Sequence, residues 1–137
     1  MAGQELVILG VAASDAHAVA NRLIVLHLEQ AGFQVVNLGT CTPLTEFAAA
    51  WRRHPEALAV LIGSLNGHAY ADLSDLPQLR AAGELACPVF VGGNLSVGCA
   101  KTQDVEKRLL ELGVDHIVRD VAELVPLLDL LCATAVV

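Results

Sequence analysis

Basic residues are scarce in this chain. Lys and Arg number 8 against 15 Asp and Glu, a formal net charge of −7. That balance argues against a nucleic-acid partner, because binding phosphates needs basic patches. No Cys-x-x-Cys pair occurs, and Cys41, Cys87, Cys99 and Cys132 are widely separated. A zinc site or disulfide framework is therefore not expected; free thiols in a reducing cytoplasm are. No apolar run approaches the roughly 20 residues of a membrane span, so no membrane partner is expected. The opening residues Met1-Ala2-Gly3-Gln4-Glu5 hold no basic stretch, so no signal peptide is expected. Linkers, low-complexity tracts and internal repeats are missing too, and a single domain over residues 1–137 is the simplest organisation.

What is present is apolar and regularly punctuated. The hydrophobic fraction is 55%, enough to bury a substantial core. Strand candidates are Glu5 to Ala12, Gln34 to Leu38, Ala57 to Ile62, Pro88 to Val91 and Asp115 to Val118. Helix candidates alternate with them: Ala18 to Ala31, Leu44 to Arg53, Leu73 to Glu84, Thr102 to Leu112 and Val121 to Leu131. Gly32 and Gly113 suit the left-handed position after a helix, and Pro43 suits a helix start. Pro77 implies an early kink or a late start in the third helix, and Pro126 an interruption in the fifth. The last five residues, Ala133 to Val137, are expected to fray. Nearly continuous apolar strands such as Ala59-Val60-Leu61-Ile62 fit burial on both faces. Strict β/α alternation then gives an α/β fold: a flavodoxin-like (Rossmann-like), doubly wound, five-stranded parallel sheet.

In such a sheet, ligands bind at the carboxyl edge. The loops expected there carry Ser14, Asp15 and His17; Gly63, Ser64 and Leu65; and Gly92, Gly93 and Asn94. Asp15-x-His17 admits two readings. In one, Ser14 or Asp15 caps the first helix and His17 is a partly solvated first-turn residue. In the other, His17 ligates a metal through one ring nitrogen while Asp15 accepts a hydrogen bond from the other, an arrangement whose loss costs about 10–100-fold in metal affinity. One histidine cannot cage a bare ion, so the metal would arrive with its other ligands, as in a macrocycle. Other uses of the fold lack their marks. No glycine follows Gly10 before Ala20, which removes the dinucleotide fingerprint. Only Ser14 could serve a flavodoxin-type phosphate loop, and Gly63-Ser64 stands where a phospho-acceptor receiver needs an acid. His27, His54 and His116 read as structural or surface residues. His68 and Tyr70 lie near the edge and could touch a ligand or partner. Arg52-Arg53 and Lys107-Arg108 read as solvated helix faces.

Asp15-Ala16-His17-Ala18-Val19-Ala20, Gly63-Ser64-Leu65 and Gly92-Gly93 together resemble the cobalamin-binding signature D-x-H-x-x-G, S-x-L, G-G. The surroundings Ala31-Gly32-Phe33-Gln34-Val35-Val36-Asn37-Leu38-Gly39, Val91-Gly92-Gly93-Asn94 with Val97-Gly98, and Asp104 to Arg108 are similar to the small, cobalamin-binding subunits of glutamate (methylaspartate) mutases. The resemblance runs nearly end to end. It implies that His17 is the lower cobalt ligand, in place of the cofactor's own dimethylbenzimidazole, with Asp15 as its hydrogen-bond partner. The displaced nucleotide tail would thread between the sheet and its first helix. Ser14 would lie beside the corrin, Gly63, Ser64 and Leu65 against the tail, and Gly92, Gly93 and Asn94 around its ribose and base. Ala18 and Ala20 would open the helix beside it, and Leu38 and Thr40 are further lining candidates.

Two positions depart from the signature. Ala20 replaces a glycine, adding a methyl group where tail and helix come close. Gly63 replaces the serine that bonds the buried base, a loss of about 0.5–1.5 kcal/mol. Ser64 could substitute only by pointing to the other face. The loop Asn66-Gly67-His68-Ala69-Tyr70 also lacks an acidic residue expected in glutamate mutases.

The resemblance implies a cytoplasmic adenosylcobalamin-dependent isomerase subunit, inactive alone. A separate barrel-type large subunit would bind L-glutamate and promote Co–C homolysis, giving L-threo-3-methylaspartate from a heterotetramer of two small and two large chains. With 137 residues, this chain cannot also supply a barrel of about 250 residues, and it shows no substrate-binding cluster of arginines. The alternatives are a corrinoid module without mutase activity, either methyl carrier or cobalamin sensor, and a paralogue that no longer binds corrinoid.

Overall fold

The apolar runs become the strands of one parallel sheet: β1 Leu6–Val11, β2 Gln34–Asn37, β3 Ala59–Gly63, β4 Val89–Gly92 and β5 His116–Val118. The computed structural model describes residues 5–12, 18–64, 69–92, 102–118 and 121–135. Strand order is β2-β1-β3-β4-β5, with every neighbouring pair parallel. This is the flavodoxin-like order. The helices are α1 Ala18–Gln30, α2 Leu44–Arg53, α3 Ala69–Asp72, α4 Leu76–Ala81, α5 Thr102–Leu112 and α6 Leu124–Ala135.

Strand alternation divides the core into two layers. Ile8, Val60, Ile62, Val89 and Val91 face one side, packed with Leu44 and Phe47 of α2, Leu76 and Leu79 of α4, and Leu109 of α5. Val7, Leu9, Ala59, Leu61 and Phe90 face the other, against Leu28 of α1 and Leu124 and Leu128 of α6. The central strands β1, β3 and β4 are thus covered on both faces, which explains their unbroken apolar runs. A methyl group on Gly10 would lie 2.7 Å from the Phe47 ring, so the glycine is what lets α2 seat that ring on β1.

Helix ends follow the punctuation. Gly32 has φ +97°, and Phe33 N–H donates to the Leu28 carbonyl while Gly32 N–H donates to that of Glu29. This paired closure satisfies carbonyls the helix leaves open. The same pattern recurs where Gly113 and Val114 cap α5.

Four expectations need correction. The helix expected over Leu73 to Glu84 is confined to α4, Leu76–Ala81, and the separate short α3 lies before the expected range. Pro77 lies in the first turn of α4, where its missing N–H is not needed, so it starts a helix. Pro126 likewise falls in the first turn of α6, after a 3-10 turn at Val121–Glu123, and does not interrupt it. The end does not fray from Ala133, because α6 continues to Ala135. Leu124 and Leu128 anchor that helix against the sheet. The third strand also starts two residues later than expected and ends on Gly63.

Arg80 clamps the amino edge of β4 and β5. One guanidinium nitrogen donates to the carbonyls of Leu85 at 3.0 Å and Cys87 at 2.7 Å. The other donates to the Gly113 carbonyl at 2.8 Å and to Asp115 Oδ2 at 2.6 Å. Asp115 Oδ2 in turn accepts from Val89 N–H at 2.8 Å. Truncation leaves three carbonyls and a carboxylate short of a donor, so Arg80→Ala should lower unfolding free energy by about 2–4 kcal/mol in denaturant titrations. Arg80→Lys should recover less than half, since an ammonium cannot reproduce the planar fork. Full recovery by lysine would refute the clamp.

Candidate functional site

β1 and β3 are hydrogen-bonded neighbours, yet the helices around them pack on opposite faces. Leu28 of α1 belongs to one layer and Leu76 of α4 to the other. Divergence of this kind opens a crevice at the carboxyl ends of the two strands.

At that edge the register aligns Val11 with Gly63, Gly63 with Gly92 and Gly92 with Val118. Val11 and Gly63 lie two residues beyond Leu9 and Leu61, and Gly92 two beyond Phe90, so the row faces α1 and α6. Its middle carries no side chains. The two glycines are there for different reasons. A Cβ on Gly92 would sit 2.9 Å from the Val118 carbonyl oxygen, so the sheet itself demands glycine. A Cβ on Gly63 would meet, among the described residues, only ordinary contacts at 3.9 and 4.0 Å with Gly10 O and Val11 Cγ2. Gly63 therefore leaves room that the sheet does not need.

Ser64 follows directly. Its N–H donates to the Gly92 carbonyl at 2.8 Å, so the ladder continues past the end of β3. Extended alternation then turns its side chain away from the glycine row, toward the face of Val60 and Ile62. The residue is fully buried, and its hydroxyl has no partner among the described residues. A buried hydroxyl left so costs about 1–3 kcal/mol, which marks a place for a polar ligand atom or water.

On α1, Asn21, Ile24, Val25 and Leu28 fall at helical spacing and form the stripe turned to the sheet. Asn21 is 6% exposed. Its Oδ1 accepts from Asn37 Nδ2 at 2.8 Å, and Asn37 Oδ1 accepts from Gly39 N–H at 3.0 Å. Sequence reasoning missed both asparagines. The available signal was an amide at a core-facing position of an otherwise apolar stripe.

Ser14, Asp15, His17, Leu65, Gly93 and Asn94 lie outside the described residues, as does His68. Ala18 and Ala20 form the first turn of α1. Gly63, Ser64 and Gly92 are brought together at the edge. Leu38 packs against the α2-side core, and the Thr40 carbonyl accepts from Thr42 Oγ1 at 3.4 Å. Tyr70 is exposed, with the Arg108 guanidinium 5.8 Å from its ring centre. His116 packs on Phe90 at 4.7 Å, and Arg52 pairs with Glu84 at 3.0 Å.

Asn21, Asn37, Ser64 and the glycine row carry no ionisable group, so they bind and orient rather than move protons. Burial pushes the Cys87 thiol up to about 11, which keeps it protonated and unreactive at neutral pH. The Cys132 thiol is also raised, first by desolvation and then by Glu5 and Asp129. Among the described residues, no three His, Cys, Asp or Glu side chains gather to hold a metal ion. No helix there is long and apolar enough to cross a membrane. A side-chain-free floor and, on the same face, the buried Asn21 amide, whose Nδ2 has no partner among the described residues, fit a flat organic group with hydrogen-bonding atoms.

Known proteins are similar in sequence and in fold. The model of the B12 binding domain matches residues 5–126. The glutamate mutase sigma subunit of Halobacterium salinarum is 49% identical over 111 residues, 81% of this chain and 74% of that one. That of Treponema denticola is 37% identical over 118 residues, 85% and 84% of the two chains. A cobalamin-binding protein from Desulfitobacterium hafniense superimposes with a TM-score of 0.75 at 18% identity, over 93% of this chain and 59% of its own length. The methanol:cobalamin methyltransferase complex of Methanosarcina barkeri gives 0.68 at 19%, over 89% and 44%. This chain thus spans little more than half of the first structure's length and less of the second's, and at these identities both speak for the fold alone. With its domain matched almost end to end and its curated relatives covered over most of their length, the chain belongs to the B12-binding family, among the glutamate mutase sigma subunits.

Proposed function

We propose that this chain is the cobalamin-binding subunit of a cytoplasmic glutamate mutase, a single domain that is inactive without a separate large subunit. The observation that carries the reading is the glycine row at the β1/β3 crevice, on the face that α1 and α6 cover. There Gly63, Ser64 and Gly92 stand at signature positions in a chain 49% identical to a glutamate mutase sigma subunit. The name of those relatives supports a second kind of subunit. We place the amino-acid substrate on that partner, a barrel-type chain in a heterotetramer of two small and two large subunits. Adenosylcobalamin, when bound, supplies a cobalt–carbon bond that breaks homolytically and so opens radical rearrangement of L-glutamate to L-threo-3-methylaspartate.

The residues of this chain bind and orient. His17 would hold the cobalt through one ring nitrogen. Asp15 would accept a hydrogen bond from the other, which fixes the tautomer and makes the ligating nitrogen more basic. Ser14 would flank that pair. Gly63 and Gly92 form the floor on which a planar group can lie, Leu65, Gly93 and Asn94 would close its sides, and α1, from Ala18 and Ala20 onward, forms the roof. Excluding water there strengthens each polar contact that the slot makes.

With adenosylcobalamin, the protein should show a base-off, histidine-on absorption spectrum, and His17→Ala should lose it. Cobalt-coupled electron paramagnetic resonance without a histidine nitrogen would sink the ligand assignment. Adding the cognate large subunit and L-glutamate should yield 3-methylaspartate; corrinoid binding without rearrangement would favour a methyl carrier or sensor. Gly63→Ser has space for its Cβ, and a serine hydroxyl on the glycine row should tighten cobalamin binding by about 2–10-fold. Unchanged or weaker binding would show that this departure costs the cofactor nothing.

A further inference from the structure

Asn21 ends its hydrogen-bonding in an asymmetric way. Gly39 N–H can only donate, so the Asn37 atom it meets at 3.0 Å must be the amide oxygen. Asn37 Nδ2 therefore faces Asn21, and the Asn21 atom it meets at 2.8 Å must be oxygen. The chain leaves Asn21 Nδ2 as the other end of the amide, with its orientation settled by a backbone group two residues past β2. That nitrogen is buried and has no acceptor among the described residues. Asn37 is registered with Leu9 of β1, and Leu9 lies two residues below Val11, so the amide sits just beneath the level of the glycine row. It also belongs to the sheet-facing stripe of α1, over β1 and β2 and beside the strand that carries Gly63. A buried donor without an acceptor in a native fold calls for a ligand or water.

We infer that Asn21 is a cofactor-binding residue: its Nδ2 donates to a hydrogen-bond acceptor on the nucleotide tail of the corrinoid, and Asn37 is the positioning residue that aims it. The inference rests on the cobalamin reading above. It concerns the tail and not the corrin, because α1 meets the sheet below the edge that carries the cobalt loop.

Asn37→Asp provides the decisive variant. Asn37 is exposed, so a charge there is tolerated. A carboxylate accepts from both Gly39 N–H and Asn21 Nδ2, so the Asn21 amide turns over and presents its oxygen to the slot. The contact between α1 and β2 becomes charge-assisted and stronger, while the slot loses its donor. Asn21→Asp makes the same exchange directly and keeps the bond from Asn37. Adenosylcobalamin and adenosylcobinamide, the same corrin without the nucleotide, are titrated by absorbance against each protein, and the ligand-free proteins are melted. Asn37→Asp should melt no lower than the wild type, bind adenosylcobalamin about tenfold more weakly, and bind adenosylcobinamide as the wild type does. Undiminished adenosylcobalamin binding by Asn37→Asp overturns the inference. Equal weakening toward both ligands overturns it too, since Asn21 would then act by placing α1. A wild type that binds neither corrinoid overturns the functional reading itself, and this inference with it.

Discussion

β1 lies between β2 and β3, and this placement determines where a ligand can enter. The ladder on both of its sides continues to the very end of the strand. Val11 N–H donates to Gly39 O at 2.8 Å, Ala12 N–H to Gly63 O at 2.9 Å, and Thr42 N–H to Val11 O at 2.8 Å. The Thr42 hydroxyl then donates back to the Gly39 carbonyl at 3.2 Å. The carboxyl edge is thereby fixed from two directions before the chain leaves the sheet. A site at this edge starts from a rigid platform, so little ordering entropy opposes binding there.

The two faces of the platform are built differently. Toward α2, α4 and α5 the layer is packed with large apolar side chains, Phe47 and Leu109 among them. Toward α1 the packing thins along the helix. Leu28, near its lower end, is fully buried; Ile24 and Val25 are partly so, and at Asn21 the apolar contact gives way to an amide. Beneath that upper end lie β2 and β1, and the glycines stand beside them on β3 and β4. Leu23 and Leu26, on the far side of the helix, are exposed at 61% and 51% and contribute nothing to its seating. Burial of Leu28 thus holds the lower half of α1, and the Asn21–Asn37 bond ties the helix to β2 one to two turns higher.

The sheet was legible because parallel strands buried on both faces must be apolar without alternation, and glycine closures at Gly32 and Gly113 marked where two helices stop. Pro77 marks the late start expected of it, at Leu76–Ala81, whereas Pro126 misled. A proline inside an apolar helical stretch reads as a break, whereas a first-turn proline is harmless, and the two cases differ only in where the helix begins. The glycine row was legible as a motif but not as geometry. Pairing of Val11, Gly63, Gly92 and Val118 depends on strand register, and only that register reveals that Val118 O forbids a side chain at Gly92 while nothing comparable occupies the space at Gly63. Asn21 and Asn37 lie sixteen residues apart, and no local rule joins them; the bond exists because β2 pairs with β1 and α1 crosses above.

The departure at Gly63 also limits what its neighbour can do. Residues 63 and 64 are both within the extended ladder, so their side chains lie on opposite faces, and no rotamer of Ser64 brings its hydroxyl across the sheet. The hydroxyl missing at Gly63 is not replaced by the next residue. Replacement has to come from an element that already faces the row, α1 or α6, and Leu124, Leu127 and Leu128, which α6 packs on that face, are apolar, which within the described residues leaves the sheet-facing stripe of α1. Ile24, Val25 and Leu28 on the stripe are apolar, and Asn21 alone carries a donor there. A strand repeats its faces every two residues and a helix every three to four. A slot between the two can therefore lose a polar group from its floor and retain one in its roof, with no change to the fold that holds them.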